Sequence, residues 1–401
     1  MEKMTVIDSI MGSGKTSWAI QHINDSPAEK RFIFITPFLD EIARVIDSVS
    51  SRKFVQPDND NAEGRKMYDL KQLVRSGADI CASHSLFRTA DDELIELLTE
   101  AKYTLILDET MDVIERVNIK KHDIEALVSS EYIQIEGNRV VWIFDEYSSL
   151  RFRDIKELAQ AGNLFVYRDT FMVWTFPPRI FSTFDEVYTM TYMFEGQLQR
   201  YYFDLYGIEY EYKSVTKDAA GNYELCEYDT AKENRSDLLQ LIELHEGKLN
   251  DVAKSSTALS TSWLGKASGG VITQLNRNLY TFLRNHCKAK ANEIIWTTLK
   301  DYQHSLQGRG FANSFLACNA RATNDYADRW ALAYLYNRYM NPQERAFFEE
   351  NGVTVNQNAL AVSDLLQWVW RSRIRRGEPI KLYLPSSRMR SLLLAWSKYE
   401  I

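Results

Sequence analysis

Short apolar runs alternate with helical apolar patterns over roughly the first 110 residues. The runs predict strands at 3–8, 31–35, 79–82 and 103–107. Amphipathic patterns predict a helix at 15–24 and another after residue 37. Strands separated by helices indicate an α/β fold with a parallel sheet, which holds ligands at the carboxyl ends of its strands.

Hairpins replace this alternation between about residues 120 and 180. The segment 132–144 alternates around a turn at Gly137-Asn138, and a helix at 150–161 precedes a second hairpin formed by 164–167 and 171–176. This stretch predicts a small α+β insertion in the first domain. The strand and helix patterns resume at 186–212.

A turn-rich break at 217–222 precedes a second series of α/β patterns. Helices are predicted there at 236–245, 275–286, 326–339 and 360–376. Strands are predicted at 293–297, 314–318 and 380–384. The chain has 401 residues, so two domains are expected from its length alone.

The net charge limits which partners the protein is expected to bind, and the cysteines indicate the compartment in which it is expected to work. With 48 basic and 55 acidic residues, the net charge of −7 argues against a wide basic face, although a narrow basic groove remains compatible with it. Arginines cluster between residues 367 and 390, and this run is either a solvated face or a binding surface. Four widely spaced cysteines and no apolar run of 18–20 residues predict a reduced, cytoplasmic protein without a membrane partner.

The segment 9–16, SIMGSGKT, has the pattern of a phosphate-binding loop between a strand and a helix. Its glycines let backbone N–H groups face phosphates at the positive end of the following helix. Ser9 stands where the usual pattern begins with glycine. We expect ATP with Mg²⁺ to bind here, with Lys15 on the β- and γ-phosphates and the Thr16 hydroxyl on the metal. The expected nucleotide-binding residues are Gly12, Ser13, Gly14, Lys15 and Thr16.

An acidic pair follows the strand predicted at 103–107. Asp108 at its tip is suited to hold the magnesium shell, and Glu109 to deprotonate the attacking water. The pair Asp145-Glu146 is a rival, but it follows a hairpin pattern and is the weaker candidate.

Three polar residues recur at helical spacing near the carboxyl terminus. If these residues are on one helix, Gln367, Arg371 and Arg375 share a face. The guanidinium group of arginine can donate two parallel hydrogen bonds to phosphate oxygens. A solvated basic face is the alternative. The tryptophans and leucines that flank these residues favour a packed helix and a functional role; they are Leu365, Leu366, Trp368 and Trp370.

In this order, the motifs resemble those of superfamily 2 helicases and translocases, of the compact DEAD/DEAH-box-like type found in bacteriophage replication modules. Residues 9–16 resemble motif I, residues 34–37 motif Ia, and residues 108–111 motif II. Residues 82–86 resemble the segment before motif II, and residues 189–194 stand where motif III is expected. Residues 367–375 resemble motif VI, with Trp370 in place of its glycine and Ile374 in place of its second arginine, and residues 319–324 resemble a stretch ahead of it.

The resemblance implies two RecA-like P-loop domains with ATP between them, at 1–205 with an insertion at about 120–180, and at 206–401. It implies an ATP-hydrolysing enzyme that grips a nucleic-acid backbone, DNA in preference to RNA, in phage replication or recombination. The catalytic residues it implies are Lys15, Glu109, Gln367, Arg371 and Arg375. The nucleic-acid contacts it implies are Thr36, Pro37, Ser83, His84 and Thr297.

Two other functions share these motifs. One is a helicase-like assembly factor that uses ATP to switch its grip on a replication protein without unwinding a duplex. The other is a packaging motor, although an arginine-rich segment with few acids near the carboxyl terminus is unlike the acidic nuclease domain that such motors often carry.

Overall fold

The structure is a computed structural model that describes residues 4–37, 39–144, 149, 151–168, 171–318 and 325–401. The chain divides into two compact units. The first comprises Met1–Asp8, Gly14–Cys226 and Pro342–Val355, and the second comprises Ser9–Ser13, Glu227–Asn341 and Asn356–Ile401.

The strands are numbered in chain order. They are β1 (Met4–Asp8), β2 (Arg31–Thr36), β3 (Phe54–Val55), β4 (Asp79–Ser83), β5 (Tyr103–Asp108), β6 (Ile114–Arg116), β7 (Ile133–Glu136), β8 (Arg139–Trp142), β9 (Leu164–Tyr167), β10 (Phe171–Thr175), β11 (Glu186–Thr191), β12 (Tyr210–Lys217), β13 (Tyr223–Glu227), β14 (Ile242–Leu244), β15 (Ile294–Thr297), β16 (Ala331–Tyr334) and β17 (Ile380–Tyr383).

The α-helices follow the same numbering rule. They are α1 (Lys15–Asp25), α2 (Leu39–Ser48), α3 (Lys66–Ser76), α4 (His84–Phe87), α5 (Asp92–Ala101), α6 (Lys121–Ser129), α7 (Arg153–Gln160), α8 (Leu198–Leu205), α9 (Arg235–Gln240), α10 (Thr261–Lys266), α11 (Gly269–Tyr280), α12 (Gln303–Leu306), α13 (Pro342–Glu350), α14 (Gln357–Val369) and α15 (Ser387–Ser397).

The main sheet of the first unit has the order β13-β12-β1-β11-β5-β2-β4-β3. The strand pairs from β12 across to β3 are parallel, which confirms the predicted parallel α/β sheet. Strand β11 lies between β1 and β5, so that Asp8 pairs in register with Thr191, and Met190 with Asp108. The carboxyl ends of these strands therefore meet at one edge.

Apolar residues on the sheet and on α1 and α2 form the core beside this edge. Ile7, Phe34 and Ile106 are fully buried in it. Burial of such side chains stabilises the unit by about 1.5–3 kcal/mol each. The packed strands form a rigid base from which polar residues project at the strand ends.

A separate antiparallel sheet has the order β6-β10-β9-β8-β7. Strands β7 and β8 turn at Gly137-Asn138, with Gly137 at a φ of +63°, as the sequence predicts. The second predicted hairpin, β9 with β10, is also confirmed. Asp145-Glu146, the rival acidic pair, lies outside the described residues.

The second unit contains a parallel sheet of order β14-β17-β16-β15. Trp296 is fully buried in its core, where its indole N–H donates to the Phe311 carbonyl at 2.8 Å. The predicted strands at 293–297 and 380–384 are confirmed as β15 and β17.

Several predictions for the second unit are wrong. The predicted helix at 326–339 contains strand β16, whose residues are all buried. An apolar run buried on both faces lacks the alternation that distinguishes a strand from a buried helix. The predicted helix at 236–245 ends at Gln240, and β14 follows it. The strand predicted at 314–318 is reduced to one bridge between Trp296 and Phe315.

The helix predicted at 360–376 also differs in the structure. Helix α14 ends at Val369, and a 3₁₀ segment at Arg373–Arg376 follows it. The Ser372 hydroxyl donates to the Val369 carbonyl at 2.7 Å and accepts from the Ile374 N–H at 3.4 Å. A serine that bonds to the nearby backbone in this way competes with helix continuation. Residues 319–324, the stretch expected ahead of motif VI, lie outside the described residues.

Candidate nucleotide-binding site

The glycine-rich loop connects β1 to α1 and has the backbone that its sequence requires. Gly12 and Gly14 have φ values of +81° and +96°, a region that disfavours L side chains. Gly14 is the N-cap of α1, and no side chain caps the first turn of this helix. Backbone N–H groups at an uncapped helix start, together with Lys15 and Thr16, suit an anionic ligand.

Asp108 stands at the tip of β5, in the same unit as Gly14, Lys15 and Thr16. The Thr36 hydroxyl donates to its Oδ2 at 3.3 Å. Burial raises the pKa of Asp108 to about 7, and the negative charges of Glu109 and Glu41 add to this increase, while Lys15 opposes it. A carboxylate whose surroundings disfavour its charge is stabilised by a bound cation. The oxygen donors Asp108 and Thr16 are of the type that Mg²⁺ prefers, so these residues fit the expected metal.

Glu109 has an unusual backbone conformation. Its φ is +68°, which costs a residue with a side chain about 1–2 kcal/mol. The Glu109 N–H donates to the Met190 carbonyl at 2.8 Å, and the Thr191 hydroxyl donates to its Oε2 at 3.3 Å. The contact to Met190 therefore fixes the backbone of Glu109, and the contact to Thr191 orients its carboxylate, as a general base requires.

Asp8 is part of this site, although the sequence patterns did not identify it. It is buried at the end of β1, and its two carboxylate oxygens accept from the Met193 and Phe194 N–H groups, each at 2.8 Å. Met193 has a φ of +55°. Asp8 therefore fixes the segment that follows β11. Its one sequence signal is an acid at the end of an apolar strand immediately before the loop.

The residues expected to contact nucleic acid lie in different surroundings. Thr36 and Ser83 are paired in register at the ends of β2 and β4, near Pro37 and His84. The Ser83 hydroxyl caps α4 by accepting from the Leu86 N–H at 3.3 Å. Thr297, at the end of β15 in the second unit, is completely buried. Nucleic-acid contact by all five residues stays a prediction.

The expected phosphate-contacting residues of the second unit are not on one continuous helix. Gln367 is within α14, Arg371 follows its end, and the exposed Arg375 lies in the 3₁₀ segment. Their predicted i, i+4, i+8 alignment is therefore wrong, because the helix ends at Val369. Trp370, which lies between Gln367 and Arg371, packs against Gly12 of the glycine-rich loop, which belongs to the same unit. A Cβ added to Gly12 would lie 2.8 Å from Cζ2 of the Trp370 ring.

Part of the arginine cluster has a structural role. Arg388 donates to the Arg338 carbonyl at 2.8 Å and to Asn337 Oδ1 at 2.9 Å. Arg390 donates to the carbonyls of Leu384 and Pro385 at 2.8 and 2.7 Å. These two arginines neither form a freely solvated face nor require a phosphate to satisfy their donors.

Within the described ranges, no helix has both the length and the apolarity to cross a membrane. The fold and the loop define an α/β protein that carries a glycine-rich loop of the phosphate-binding type after its first strand.

Two family models and one full-length relative match this chain, and all three belong to the same family. Residues 236–397 match the model of the YonV C-terminal Rossmann-like domain, and residues 114–174 match that of the YonV middle domain. The chain is 39% identical over 407 residues to the SPbeta prophage-derived uncharacterized protein YonV of Bacillus subtilis (strain 168), and the alignment covers 99% of each chain. The chain belongs to the YonV family.

Solved structures give weaker similarities. S. tokodaii Xpd4 has 9% identity and a TM-score of 0.49, over 100% of this chain and 94% of the other. The DUF1998 helicase MrfA bound to DNA and AMPPNP has 9% identity and a TM-score of 0.37, over 100% and 48%. S. cerevisiae Dbp5 bound to RNA and ADP BeF3 has 11% identity and a TM-score of 0.37, over 99% and 83%. All three scores are below 0.5, a range in which likeness carries no inference about function.

Proposed function

We propose that this chain hydrolyses ATP with magnesium and uses the hydrolysis to move along nucleic acid, as a helicase or translocase. The observation that carries the proposal is the acidic tip of β5. There Asp108 contacts Thr36, and Glu109 is held by Thr191, in the same unit as the uncapped start of α1. Phosphate binding, metal binding and a general base are the components of in-line phosphoryl transfer to water.

Each residue has a definite role in this proposal. Lys15 and the N–H groups at the start of α1 bind the phosphates, while Thr16 and Asp108 hold magnesium. The metal, when bound, neutralises charge on the phosphate oxygens. Glu109 orients the attacking water and accepts its proton, and the Thr191 hydroxyl maintains the carboxylate orientation that this transfer needs.

The nucleic-acid part of the proposal rests on the same edge of the sheet. Thr36 and Ser83 are the last residues of β2 and β4, and Pro37 and His84 come directly after them. Strand β2 lies between β5 and β4, so the carboxyl ends of all three strands are at the same edge of the sheet. Thr36 is fully buried, and its bond to Asp108 links the partly exposed neighbour Pro37, which a strand could contact, to a metal ligand. Backbone contacts at these residues would grip a strand without reading its sequence.

The motif resemblance supplies the remaining parts of the proposal. These are two RecA-like domains with an insertion at about 120–180, contact of Arg371 with the triphosphate supported by Gln367 and Arg375, and a role in phage DNA replication or recombination. Arg371→Lys tests the arginine role, because lysine keeps the charge but loses the two-pronged phosphate contact. We expect Arg371→Lys to lower kcat while ATP affinity is retained.

The test is the ATPase rate of the full chain with single-stranded DNA, duplex DNA and RNA, together with a strand-displacement assay. We expect nucleic acid to stimulate turnover, Lys15→Ala to abolish nucleotide binding, and Glu109→Gln to abolish turnover while ATP still binds. If ATP is hydrolysed but none of the nucleic acids changes the rate, the translocase proposal is wrong. Stimulation by a bound replication protein instead would support the alternative of an ATP-switched assembly factor.

A further inference from the structure

Tyr223, the first residue of β13, lies directly against the phosphate-binding loop. A Cβ placed on Gly14 would be 2.1 Å from Cε1 of Tyr223, so the ring occupies the space that a side chain at residue 14 would need. The backbone of Tyr223 is anchored to α1, because Gln21 Nε2 donates to the Tyr223 carbonyl at 3.1 Å and Gln21 Oε1 accepts from its N–H at 2.9 Å. The backbone from which the ring projects is therefore anchored to the helix that the loop precedes.

The strand order indicates which end of a nucleotide would meet this ring. Strand β5, with Asp108 and Glu109, lies on one side of β1, and β12 and β13 lie on the other. The terminal phosphate must face the acids that hold the metal and activate water. The phosphate chain then runs across the start of α1 away from β5, and the nucleoside emerges on the side of Tyr223.

Tyr223 and Lys217 form a surface suited to a nucleobase. The Tyr223 ring is partly exposed, and Nζ of the exposed Lys217 lies 4.8 Å from its centroid. Interactions of the Tyr223 hydroxyl with Lys217 and Ser17 lower the pKa of Tyr223. Ser17 is the residue after Thr16, so the Tyr223 hydroxyl lies near the turn of α1 that follows the loop.

We propose that Tyr223 is the base-stacking residue of the nucleotide site and that Lys217 holds its ring in place. This inference rests on the proposed nucleotide binding and extends it to the nucleoside. The Gln21 side-chain amide is already bonded to the Tyr223 backbone, so it does not read a base edge. Stacking favours large π surfaces over particular hydrogen-bonding edges, so the site accepts purine nucleoside triphosphates with little discrimination between adenine and guanine.

The test compares ATP, GTP, CTP and inorganic tripolyphosphate, each with magnesium, by calorimetric titration of the full chain. Tyr223→Leu keeps an apolar side chain but removes the stacking face. We expect it to weaken ATP and GTP binding by about tenfold or more, as loss of base stacking does, and to leave the tripolyphosphate Kd within about twofold. Tyr223→Phe should retain ATP affinity, and Glu224→Ala, an exposed change on the same strand, should bind as the wild type does.

Three results would overturn the inference. One is an equal loss of ATP and tripolyphosphate binding in Tyr223→Leu, because the ring would then support the loop without touching the base. The second is unchanged ATP binding in a Tyr223→Leu protein that melts like the wild type. The third is a wild type that binds tripolyphosphate as tightly as ATP, which leaves no contribution from the base. A wild type that binds neither ligand would instead disprove the proposed function, and the base site with it.

Discussion

The Thr191 hydroxyl donates to Oε2 of Glu109 at 3.3 Å and so connects the end of β11 to the proposed general base. Glu109 has a left-handed backbone, with a φ of +68°, and its N–H is bonded to the preceding residue of β11, Met190. Strain at a functional residue persists when surrounding contacts determine its conformation. Here the neighbouring strand supplies those contacts.

Thr191→Val removes this hydrogen bond at nearly constant volume. We expect kcat for ATP hydrolysis to fall about tenfold, the equivalent of one hydrogen bond to a charged acceptor, with little change in KM. Thr189→Val is the matched control. Thr189 lies two residues earlier on β11, and its buried hydroxyl has no hydrogen-bond partner among the described residues. Equal kcat in the wild type and Thr191→Val would show that Glu109 does not need this contact.

Asp108→Asn should raise stability while it abolishes magnesium-dependent ATP binding. The pKa of Asp108 is raised from 3.8 to about 7 in the folded protein, so its carboxyl holds a proton more tightly in the folded than in the unfolded chain. The stability that this provides is complete below pH 3.8 and is lost as the pH rises from there through 7. At pH 8 without magnesium, we expect Asp108→Asn to increase the free energy of unfolding by about 1–3 kcal/mol, below the full linkage value because the side chain keeps some solvent contact.

Urea unfolding at pH 5 and pH 8 measures this prediction. The difference between Asp108→Asn and the wild type should be much larger at pH 8. A wild type that is as stable as the variant at pH 8 would mean that ionised Asp108 is well accommodated without a cation.

The burial of His22 predicts that the protein loses stability in mild acid. Its ring stacks on Trp18 at 5.1 Å within α1, and burial lowers its pKa below 6.5, with Lys30 adding to the effect and Glu186 and Asp25 opposing it. Because the unfolded chain takes up the proton first, the contribution of neutral His22 is present above pH 6.5 and is lost as the pH falls below that value.

We expect the melting temperature of the wild type to fall more steeply between pH 7 and 5.5 than that of His22→Phe, which keeps an aromatic ring against Trp18. His122→Gln, at an exposed position of α6, serves as the control. Parallel slopes for the wild type and His22→Phe would contradict the prediction.

Arg388 should contribute to stability and not to nucleic-acid binding. Its guanidinium bonds to Asn337, to Asn358 and to backbone carbonyls, and it lies 4.1 Å from the ring centroid of Tyr339. We expect Arg388→Ala to lower the free energy of unfolding by about 2–4 kcal/mol, because several partly buried polar groups lose their partner.

The control for Arg388 is the exposed Arg309, which has no proposed role in the site. Arg309→Ala should change the free energy of unfolding by less than about 0.5 kcal/mol, as is usual for surface positions. A folded Arg388→Ala protein of wild-type stability that has lost nucleic-acid binding would reverse the assignment.

The sequence by itself determined the loop, the acidic pair and the alternating strands and helices of the first unit. These features depend on local chemistry: a strand, two glycines with positive φ and an uncapped helix start occupy 22 consecutive residues, 4–25. The hairpin at Gly137-Asn138 is equally local. Composition and spacing therefore suffice for such elements.

Tertiary structure alone decided which strand ends meet. The insertion of β11 between β1 and β5 brings Thr191 to Glu109 across 82 positions of sequence, and the position of β13 brings Tyr223 to Gly14. Tertiary structure also decided that residues 331–334 form a strand. The sequence could not show this, because an apolar run that is buried on both faces has no periodicity of its own. Strand order depends on packing between distant segments, and no local pattern encodes it.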